Sequence, residues 1–324
     1  MAQGGYVVTQ PGGAERLEWV ASAVGQPGPG QIRLRHDAIG VNYIDIYHRM
    51  GLYPLPLPTG IGVEGAGFVE AVGSDVTHLS IGDRVVYAGG QPGAYANVRL
   101  IQADRAVRLP EEITSQTAAA LFFKGLTAQY LIKSAYQVKA GEWVLLHAAA
   151  GGVGIVALQW LKHIGANVIG IVSTEEKAEL ARAYGASHVI IDKEGNFSGK
   201  VREIVPQGVD VVYDSVGKAT FTASLDSLRI RGMMVSFGMS SGKIPPIDLS
   251  ILGAKGSLYF TRCTIAHYMA SRTQLEAGAA DLFSMIAGGI IKSGPVTNYA
   301  LKDAPQAHRD LESRRTSGSL LLIP

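Results

Sequence analysis

The chain has 324 residues, of which 47% are hydrophobic and 17% charged, with a net charge of +2 at pH 7. This composition predicts a well-buried globular protein of about two domains and excludes a disordered chain. The single cysteine, Cys263, rules out an intrachain disulfide. The sequence contains no secretory signal, no apolar stretch of about 18 residues and no basic run. We therefore expect a cytoplasmic protein whose main partner is neither a membrane nor nucleic acid.

Apolar runs between Gly and Pro turns predict that the first part of the chain is rich in β-structure. Asn42–Met50 predicts a short helix, and Glu111–Ala135 predicts a longer helix that is broken near Gly125. The strands predicted in this part are Gln31–Asp37, Val63–Val72, Arg84–Ala88 and Tyr95–Leu100.

From Gly141 onward, short apolar strands alternate with helical segments, which predicts a doubly wound α/β fold with a parallel sheet covered on both faces. The predicted strands are Trp143–His147, Val168–Val172, His188–Ile191, Val211–Tyr213, Met233–Phe237 and Ser257–Phe260. The predicted helices between them are Val153–Ile164, Glu175–Tyr184, Lys200–Val205 and Lys218–Leu228. Two later helices, Arg272–Ala287 and Asp303–Ser313, and a last strand, Ser319–Ile323, do not continue the alternation, and we expect them to complete the first domain.

A glycine-rich turn, His147–Gly154, follows the first strand of this alternation and opens a helix. Its pattern is A-x-x-G-x-x-G instead of the more usual G-x-G-x-x-G, so the motif alone also fits a tight turn without a ligand. Its place after the first strand favours a dinucleotide site, because glycines and a helix N-terminus together suit a pyrophosphate. The residues predicted to contact the pyrophosphate are Ala150, Gly151, Gly152 and Val153.

The second strand ends at Ser173, where NAD-specific domains carry an acid that binds the ribose hydroxyls. A small hydroxyl leaves room for a 2′-phosphate, and Lys177 supplies positive charge, so the sequence favours NADPH. Glu175 argues for NAD, because it could replace the missing acid. Ser173 and Glu176 also fit a capping box at a helix start, a structural role that is compatible with the cofactor role.

Several segments, spread over nearly the whole chain, resemble one superfamily. They are VNYIDIYHRMGLYP, GVEGAGFVEAVG, GDRVVY, FFKGLTAQYL, HAAAGGVG, VVYDSVG, VSFGMSSG and ESRRTSGSLLLIP. Together they resemble the medium-chain dehydrogenase/reductases, and most of all their zinc-free branch, the zeta-crystallin-like NADPH:quinone reductases. The resemblance implies a GroES-like catalytic domain at 1–124, completed by 266–324, and a Rossmann dinucleotide-binding domain at 125–265.

Zinc-dependent members of this superfamily carry a Cys in the segment that matches Val41–Asp45 and a His just before the Glu that matches Glu64. Here Asn42 and Val63 stand in those neighbourhoods, and the four-cysteine structural zinc loop is missing. We therefore expect no metal site. Without a metal to stabilise an alkoxide, the expected acceptor is an electron-poor one, a quinone or a conjugated enone.

The resemblance implies that the nicotinamide and the acceptor lie between the two domains. Asn42, Asp45, Tyr47 and Tyr53 are the candidate catalytic residues, with the two tyrosines lining the acceptor pocket. Plain aromatic packing is the alternative for the tyrosines, and a solvated helix charge is the alternative for Lys124. The implied cofactor contacts are Asn42, Lys124, Thr127, Ser215, Gly217, Phe237, Gly238, Met239, Ser240, Phe260, Arg262 and, at the adenosine phosphate, Arg314.

The chain departs from this family pattern at two positions. Relatives often carry Tyr where Asp192 stands, and an acid there weakens the preference for NADPH because it repels a phosphate. Met239 replaces a residue that is commonly polar, which makes the predicted pocket more apolar.

The activity implied is that of an NADPH:quinone reductase that works without zinc. Two alternatives stay open: an alkenal or enone reductase of the same superfamily, and a non-catalytic role, since zeta-crystallin-like proteins also serve as lens crystallins or bind RNA. The lack of a basic stripe argues against RNA. Family members pair the strand that matches Ser257–Phe260 across a two-fold axis, so a homodimer is also expected.

Overall fold

The structure is a computed structural model that describes residues 3–324. It divides into two compact units. Unit 1 holds the described residues up to Lys124, together with Met269–Ala287 and Ser293–Pro324. Unit 2 holds Gly125–Tyr268 and Gly288–Lys292.

The strands, in chain order, are β1 (Gly4–Val8), β2 (Glu18–Ala21), β3 (Gln31–Val41), β4 (Thr59–Gly60), β5 (Glu64–Val72), β6 (Arg84–Ala88), β7 (Val98–Gln102), β8 (Ala106–Arg108), β9 (Trp143–His147), β10 (Asn167–Val172), β11 (His188–Ile191), β12 (Val209–Asp214), β13 (Leu228–Ser236), β14 (Tyr259–Arg262), β15 (Val296–Ala300) and β16 (Ser319–Ile323).

The α-helices are α1 (Tyr43–Arg49), α2 (Ser115–Tyr130), α3 (Gly152–Ile164), α4 (Glu175–Tyr184), α5 (Ser198–Ile204), α6 (Phe221–Ser227), α7 (Ser250–Ala254), α8 (Ile265–Tyr268), α9 (Arg272–Ala287) and α10 (Ala304–Glu312). No helix in the described part of the chain is both long enough and apolar enough to cross a membrane.

Unit 1 is built on a sheet in the order β15-β16-β3-β5-β6-β8, with β7 also paired to β3, and on a small sheet in the order β2-β1-β4. The long strand β3 pairs antiparallel with β5, β7 and β16, so it joins the N-terminal strands to the C-terminal one. Its inward side chains Ile32, Leu34 and Ile39 are fully buried and pack in one core with Leu322 of β16. The C-terminal strand thus completes the sheet that carries α1.

Unit 2 is one parallel sheet in the order β11-β10-β9-β12-β13-β14. Its central strands are mostly apolar, and Leu145, Ile169, Val212 and Met234 are fully buried, as expected of a parallel sheet covered on both faces. The strand order runs outward from β9 in both directions, which makes the end of β9 the switch point where doubly wound sheets bind ligands. The predicted α/β fold is confirmed.

The prediction that the second helix breaks near Gly125 is wrong. α2 runs without interruption from Ser115 to Tyr130, because Phe122 and Leu126 on either side of the glycine are fully buried. Their burial outweighs the cost of a glycine in a helix, about 1 kcal/mol. The helix also begins later than predicted, at Ser115, since the hydroxyl of Thr114 accepts a hydrogen bond from the backbone N–H of Thr117 (3.1 Å).

Candidate functional site

The glycine turn lies between the end of β9 at His147 and the start of α3 at Gly152. Gly151 is the N-cap in an extended conformation and supplies no side-chain cap, so the first N–H groups of α3 have no intrahelical acceptor. A Cβ atom at Gly154 would lie 2.4 Å from the carbonyl oxygen of Ala148. Glycine is therefore required there for α3 to pack onto the turn, as in a pyrophosphate-binding motif.

The turn between β10 and α4 corrects one prediction. Thr174, and not Ser173, is the N-cap of α4, and its hydroxyl accepts a hydrogen bond from the backbone N–H of Lys177 (3.3 Å). The predicted capping box at Ser173 is wrong because the helix starts one residue later. Ser173 is half-buried at the end of the strand. Glu175, the argument for NAD, lies on the exposed side of α4 and pairs with Arg182 (2.9 Å).

The carboxylate of Asp192 is hydrogen-bonded to the backbone of its own loop. It accepts hydrogen bonds from the backbone N–H groups of Gly195 (2.6 Å) and Asn196 (3.1 Å). These two donors hold the carboxylate in its own loop.

The loops after β12 and β13 are tied together by hydrogen bonds. Asp214 accepts from the backbone N–H groups of Val216 (2.7 Å) and Gly217 (2.9 Å) and so fixes the turn after β12. A Cβ atom at Gly238 would lie 2.4 Å from the carbonyl oxygen of Ser215, so this glycine permits the close approach of the two loops.

The remaining predicted cofactor residues of unit 2 differ in their surroundings. Arg262 donates hydrogen bonds to Ser236 Oγ (2.9 Å) and to the carbonyl of Gly238 (2.7 Å), which fixes the end of β14 to the loop after β13. The backbone N–H of Ser240 donates to the carbonyl of Ser215 (3.2 Å). Phe260 packs edge to face on Phe221. Met239 and Thr127 are buried, and Phe237 is half-buried.

Glu64 is the centre of the polar cluster in unit 1, which consists of Asn42, Asp45, Glu64 and Lys124. Its carboxylate is fully buried and accepts hydrogen bonds from Asn42 Nδ2 (2.9 Å), Lys124 Nζ (3.3 Å) and the backbone N–H of Phe123 (2.6 Å). These three donors, one of which is a cation, compensate the buried negative charge. Lys124 is 4% exposed, so it is not the solvated helix charge that the sequence left open.

Asp45 lies beside this pair at the start of α1 and is itself fully buried. Its Oδ2 accepts from the backbone N–H of Asn42 (2.8 Å) and from the hydroxyl of Tyr95 (3.0 Å). Burial raises the pKa of Asp45 from 3.8 to about 7, and the charge of Glu64 adds to that rise, while the two hydrogen bonds and Lys124 oppose it.

The predicted acceptor tyrosines are in contact. The rings of Tyr47 and Tyr53 meet edge to face with centroids 5.3 Å apart. Two aromatic residues that the sequence reasoning missed extend this cluster. The ring centroid of Tyr43 lies 6.1 Å from that of Tyr47, and the ring centroid of His48 lies 6.2 Å from that of Tyr53. Arg314 lies beside the Tyr43 hydroxyl, where its charge lowers the Tyr43 pKa against the larger rise that burial causes.

Glu64 was used in the sequence reasoning only as a landmark for a missing histidine. The signal that would have found it is a carboxylate inside the apolar run GVEGAGFV, since a buried charge needs a partner.

The structure brings together Asn42, Asp45 and Lys124 in unit 1 and, separately, Ser215, Gly217, Gly238, Ser240 and Arg262 in unit 2. In the described part of the chain, no group of three or more His, Cys, Asp or Glu side chains is placed to hold a metal ion.

Comparison with known proteins gives full-length matches. The family model described as an alcohol dehydrogenase GroES-like domain matches residues 28–111, and the one described as a zinc-binding dehydrogenase matches residues 152–284. A quinone oxidoreductase of Salmonella typhimurium is 50% identical over 317 residues, which are 97% of each chain. A 2-haloacrylate reductase of a Burkholderia species is 44% identical over 327 residues, which are 98% of each chain.

A solved structure gives the same result. The crystal structure of Escherichia coli quinone oxidoreductase complexed with NADPH superposes with a TM-score of 0.97 at 48% identity, over 99% of this chain and 100% of that one. These matches confirm the family and the two fold types that the sequence predicted. The chain belongs to the quinone oxidoreductase branch of the medium-chain dehydrogenase/reductase superfamily.

Proposed function

We propose that this protein is an NADPH:quinone oxidoreductase that transfers hydride from NADPH to a quinone. The observation that carries the proposal is the full-length match, at 48–50% identity, to proteins named quinone oxidoreductase, one of them solved with NADPH. The local geometry of both units agrees with this activity.

Unit 2 is proposed to hold the pyrophosphate and the adenosine end of the cofactor. The N–H groups at Gly152 and Val153 open α3 without intrahelical acceptors, and the packing at Gly154 accepts no side chain. Ser173 and Lys177 are proposed to take the 2′-phosphate, which Glu175 does not oppose because it is paired with Arg182. The residues present therefore fit NADPH.

Unit 1 is proposed to position the nicotinamide end through Asn42 and Lys124. When bound, NADPH supplies the hydride. Glu64 fixes both side chains, so the Asn42 amide and the Lys124 ammonium need no reorganisation when the ligand arrives. Burial of all three groups excludes water from the point where charge develops.

The aromatic cluster of Tyr43, Tyr47, His48 and Tyr53 is proposed as the acceptor site. A quinone ring stacks well on such rings. The Tyr43 hydroxyl donates to the carbonyl of Leu311 (3.0 Å), so the hydroxyl of Tyr47 or Tyr53 is the proposed donor to the negative charge on a developing hydroquinone oxygen.

The proposed function is tested by following nicotinamide absorbance with NADPH and a panel of quinones, enals and 2-chloroacrylate. We expect oxidation of NADPH with at least one quinone, at a higher kcat/KM than with any enal or haloacrylate. Absence of oxidation with every acceptor would overturn the enzyme assignment.

A second candidate is a reductase of conjugated double bonds. It is favoured by the 44% identical relative that is named 2-haloacrylate reductase. The same panel decides between the two, because a kcat/KM that is higher for an enal or 2-chloroacrylate than for every quinone would support the second candidate against the first.

We also propose that the protein is a cytoplasmic homodimer that pairs through β14. This strand is an edge of the unit 2 sheet, and its Tyr259 is 55% exposed. An open strand edge tends to pair, and a two-fold axis would cover both copies. The use of NADPH, a reductant of the cell interior, supports the cytoplasm. A monomeric mass in solution scattering at micromolar protein would overturn the dimer.

A further inference from the structure

Asp45 is a buried titratable group to which the proposed reaction gives no role. In the part of the chain that the structure describes, Oδ1 of this carboxyl is buried and has no hydrogen-bond partner. Its Oδ2 already accepts two hydrogen bonds. Only one of the two carboxyl oxygens is therefore hydrogen-bonded, which is unusual for a fully buried acid.

A directional chain of hydrogen bonds leads from Arg49 of α1, through His308 of α10 and Tyr95, to Asp45. Arginine carries only donors, so Arg49 Nη1 donates to Nδ1 of His308 (2.9 Å). Burial lowers the pKa of His308 to about 3, so the ring is neutral and its one proton is on Nε2, 2.9 Å from the Tyr95 hydroxyl oxygen. Tyr95 must then give its own proton to Asp45 Oδ2 (3.0 Å).

This chain fixes where the Asp45 proton resides. Since Oδ2 accepts from Tyr95 and from the Asn42 backbone N–H, the proton of the neutral acid is on Oδ1. The charged groups that face the carboxyl are Glu64 from β5 and Lys124 from α2. Loss of the Oδ1 proton changes the summed charge of these three side chains from zero to −1.

The oxidised nicotinamide ring carries a positive charge and the reduced ring carries none. We propose that Asp45 compensates that charge, so that binding of NADP⁺, but not of NADPH, releases a proton from Asp45. The inference rests on the proposed function, in which Asn42 and Lys124 face the nicotinamide. In the release step the O–H bond at Oδ1 breaks, its electron pair stays on the carboxylate, and the proton passes to water.

Proton release on binding is measured by isothermal titration calorimetry at pH 7 in phosphate and in Tris, whose ionisation heats differ. With a pKa of about 7 the free carboxyl is half protonated, and a nearby cation lowers such a pKa by one unit or more. We expect release of about 0.4 proton per NADP⁺ above the value for NADPH. The 2′-phosphate, common to both nucleotides, cancels in this difference.

The variants Asp45→Asn and Asp104→Asn form a matched pair, because Asp104 is an exposed acid of the same unit. Asp45→Asn should abolish the difference between the nucleotides, and Asp104→Asn should keep it. From pH 5 to pH 8 the ratio of the affinity for NADP⁺ to the affinity for NADPH should rise about tenfold in the wild type and stay constant in Asp45→Asn.

Tyr95→Phe provides a second test that keeps the carboxyl. It removes a hydrogen bond that lowers the Asp45 pKa, so the pH midpoint of the NADP⁺-to-NADPH affinity ratio should move upward. If neither nucleotide binds, the proposed function fails. If both bind and NADP⁺ releases no more protons than NADPH, or if Tyr95→Phe leaves the midpoint in place, the role of Asp45 is overturned and the proposed function stands.

Discussion

Lys124 Nζ lies 3.3 Å from Glu64 Oε2, and the two side chains are only 6% and 0% exposed. Removing one partner of a buried ion pair leaves the other charge uncompensated, which costs about 3–5 kcal/mol. The same ion pair therefore positions a proposed cofactor contact, Lys124, and stabilises unit 1.

At pH 5, where Asp45 is protonated, Glu64→Gln should lower the free energy of unfolding by about 3 kcal/mol, because Lys124 is left buried without a counter-charge. Urea unfolding checks this value. The double variant Glu64→Gln with Lys124→Met should recover part of the loss, because no unpaired charge remains. If the two single losses simply add in the double variant, the side chains are not energetically coupled.

Gly154→Ala should weaken NADPH binding at least about tenfold, because a methyl group 2.4 Å from the Ala148 carbonyl oxygen pushes α3 away from the turn. Nicotinamide fluorescence titration measures the change. Gly199→Ala is the control: Gly199 lies in α5, where a Cβ atom meets nothing within 4 Å, so this variant should keep its affinity for NADPH. Equal affinity of both variants would show that the close packing at Gly154 is not needed.

Lys177→Ala should lower the ratio of kcat/KM for NADPH to that for NADH by about tenfold or more, because one charge-assisted bond to the 2′-phosphate is worth about 1.5–3 kcal/mol. Steady-state kinetics with both cofactors give the ratio. Glu175→Gln breaks only the exposed pair with Arg182 and should change the ratio less than about twofold. A wild type that uses NADH as efficiently as NADPH would contradict the proposed role of Ser173 and Lys177.

Asp45 should make the folded state less stable as the pH rises from about 4 to about 7. Its folded pKa is raised to about 7, so in that range the folded protein binds more protons than the unfolded chain, and the stability present below pH 4 is lost. The loss is about 4 kcal/mol for a rise of about three pKa units.

The measurement is urea unfolding of the wild type and of Asp45→Asn at pH 5 and pH 8. The difference in stability between the two proteins should move in favour of Asp45→Asn as the pH rises. The buried neutral histidines His36 and His308, whose pKa values are lowered to about 3, act in the opposite direction, but they are present in both proteins and cancel. A constant difference would mean that Asp45 titrates normally.

The parallel sheet of unit 2 was predictable because its strands are short apolar runs buried on both faces. Two of the strands that the sequence did not predict lack this signal: β4 has two residues, and β15 is exposed along most of its length. The break proposed at Gly125 failed because tertiary packing outweighed a local propensity.

The candidate site was predictable only in part, for a related reason. Asn42, Asp45 and Lys124 were found through the segments that carry the family resemblance. Their partners Glu64, Tyr95 and His308 were not, because each is brought to them by strand pairing or by the C-terminal helix from far along the chain. A sequence pattern shows which face of a helix or strand is apolar. It does not show which polar groups from distant parts of the chain contact that helix or strand.

The hydrogen bonds of α10 also determine when unit 1 can complete its fold during synthesis of the chain. His308 meets Tyr95 across 213 positions of the chain, and Arg49 meets Glu312 across 263. While a ribosome is still making the final segment, Arg49 and Tyr95 lack these partners, and contacts of such range form slowly. Unit 1 thus cannot finish folding before the whole of unit 2 has been synthesised, and the hydrogen bonds around α1 are complete only after α10 has left the exit tunnel.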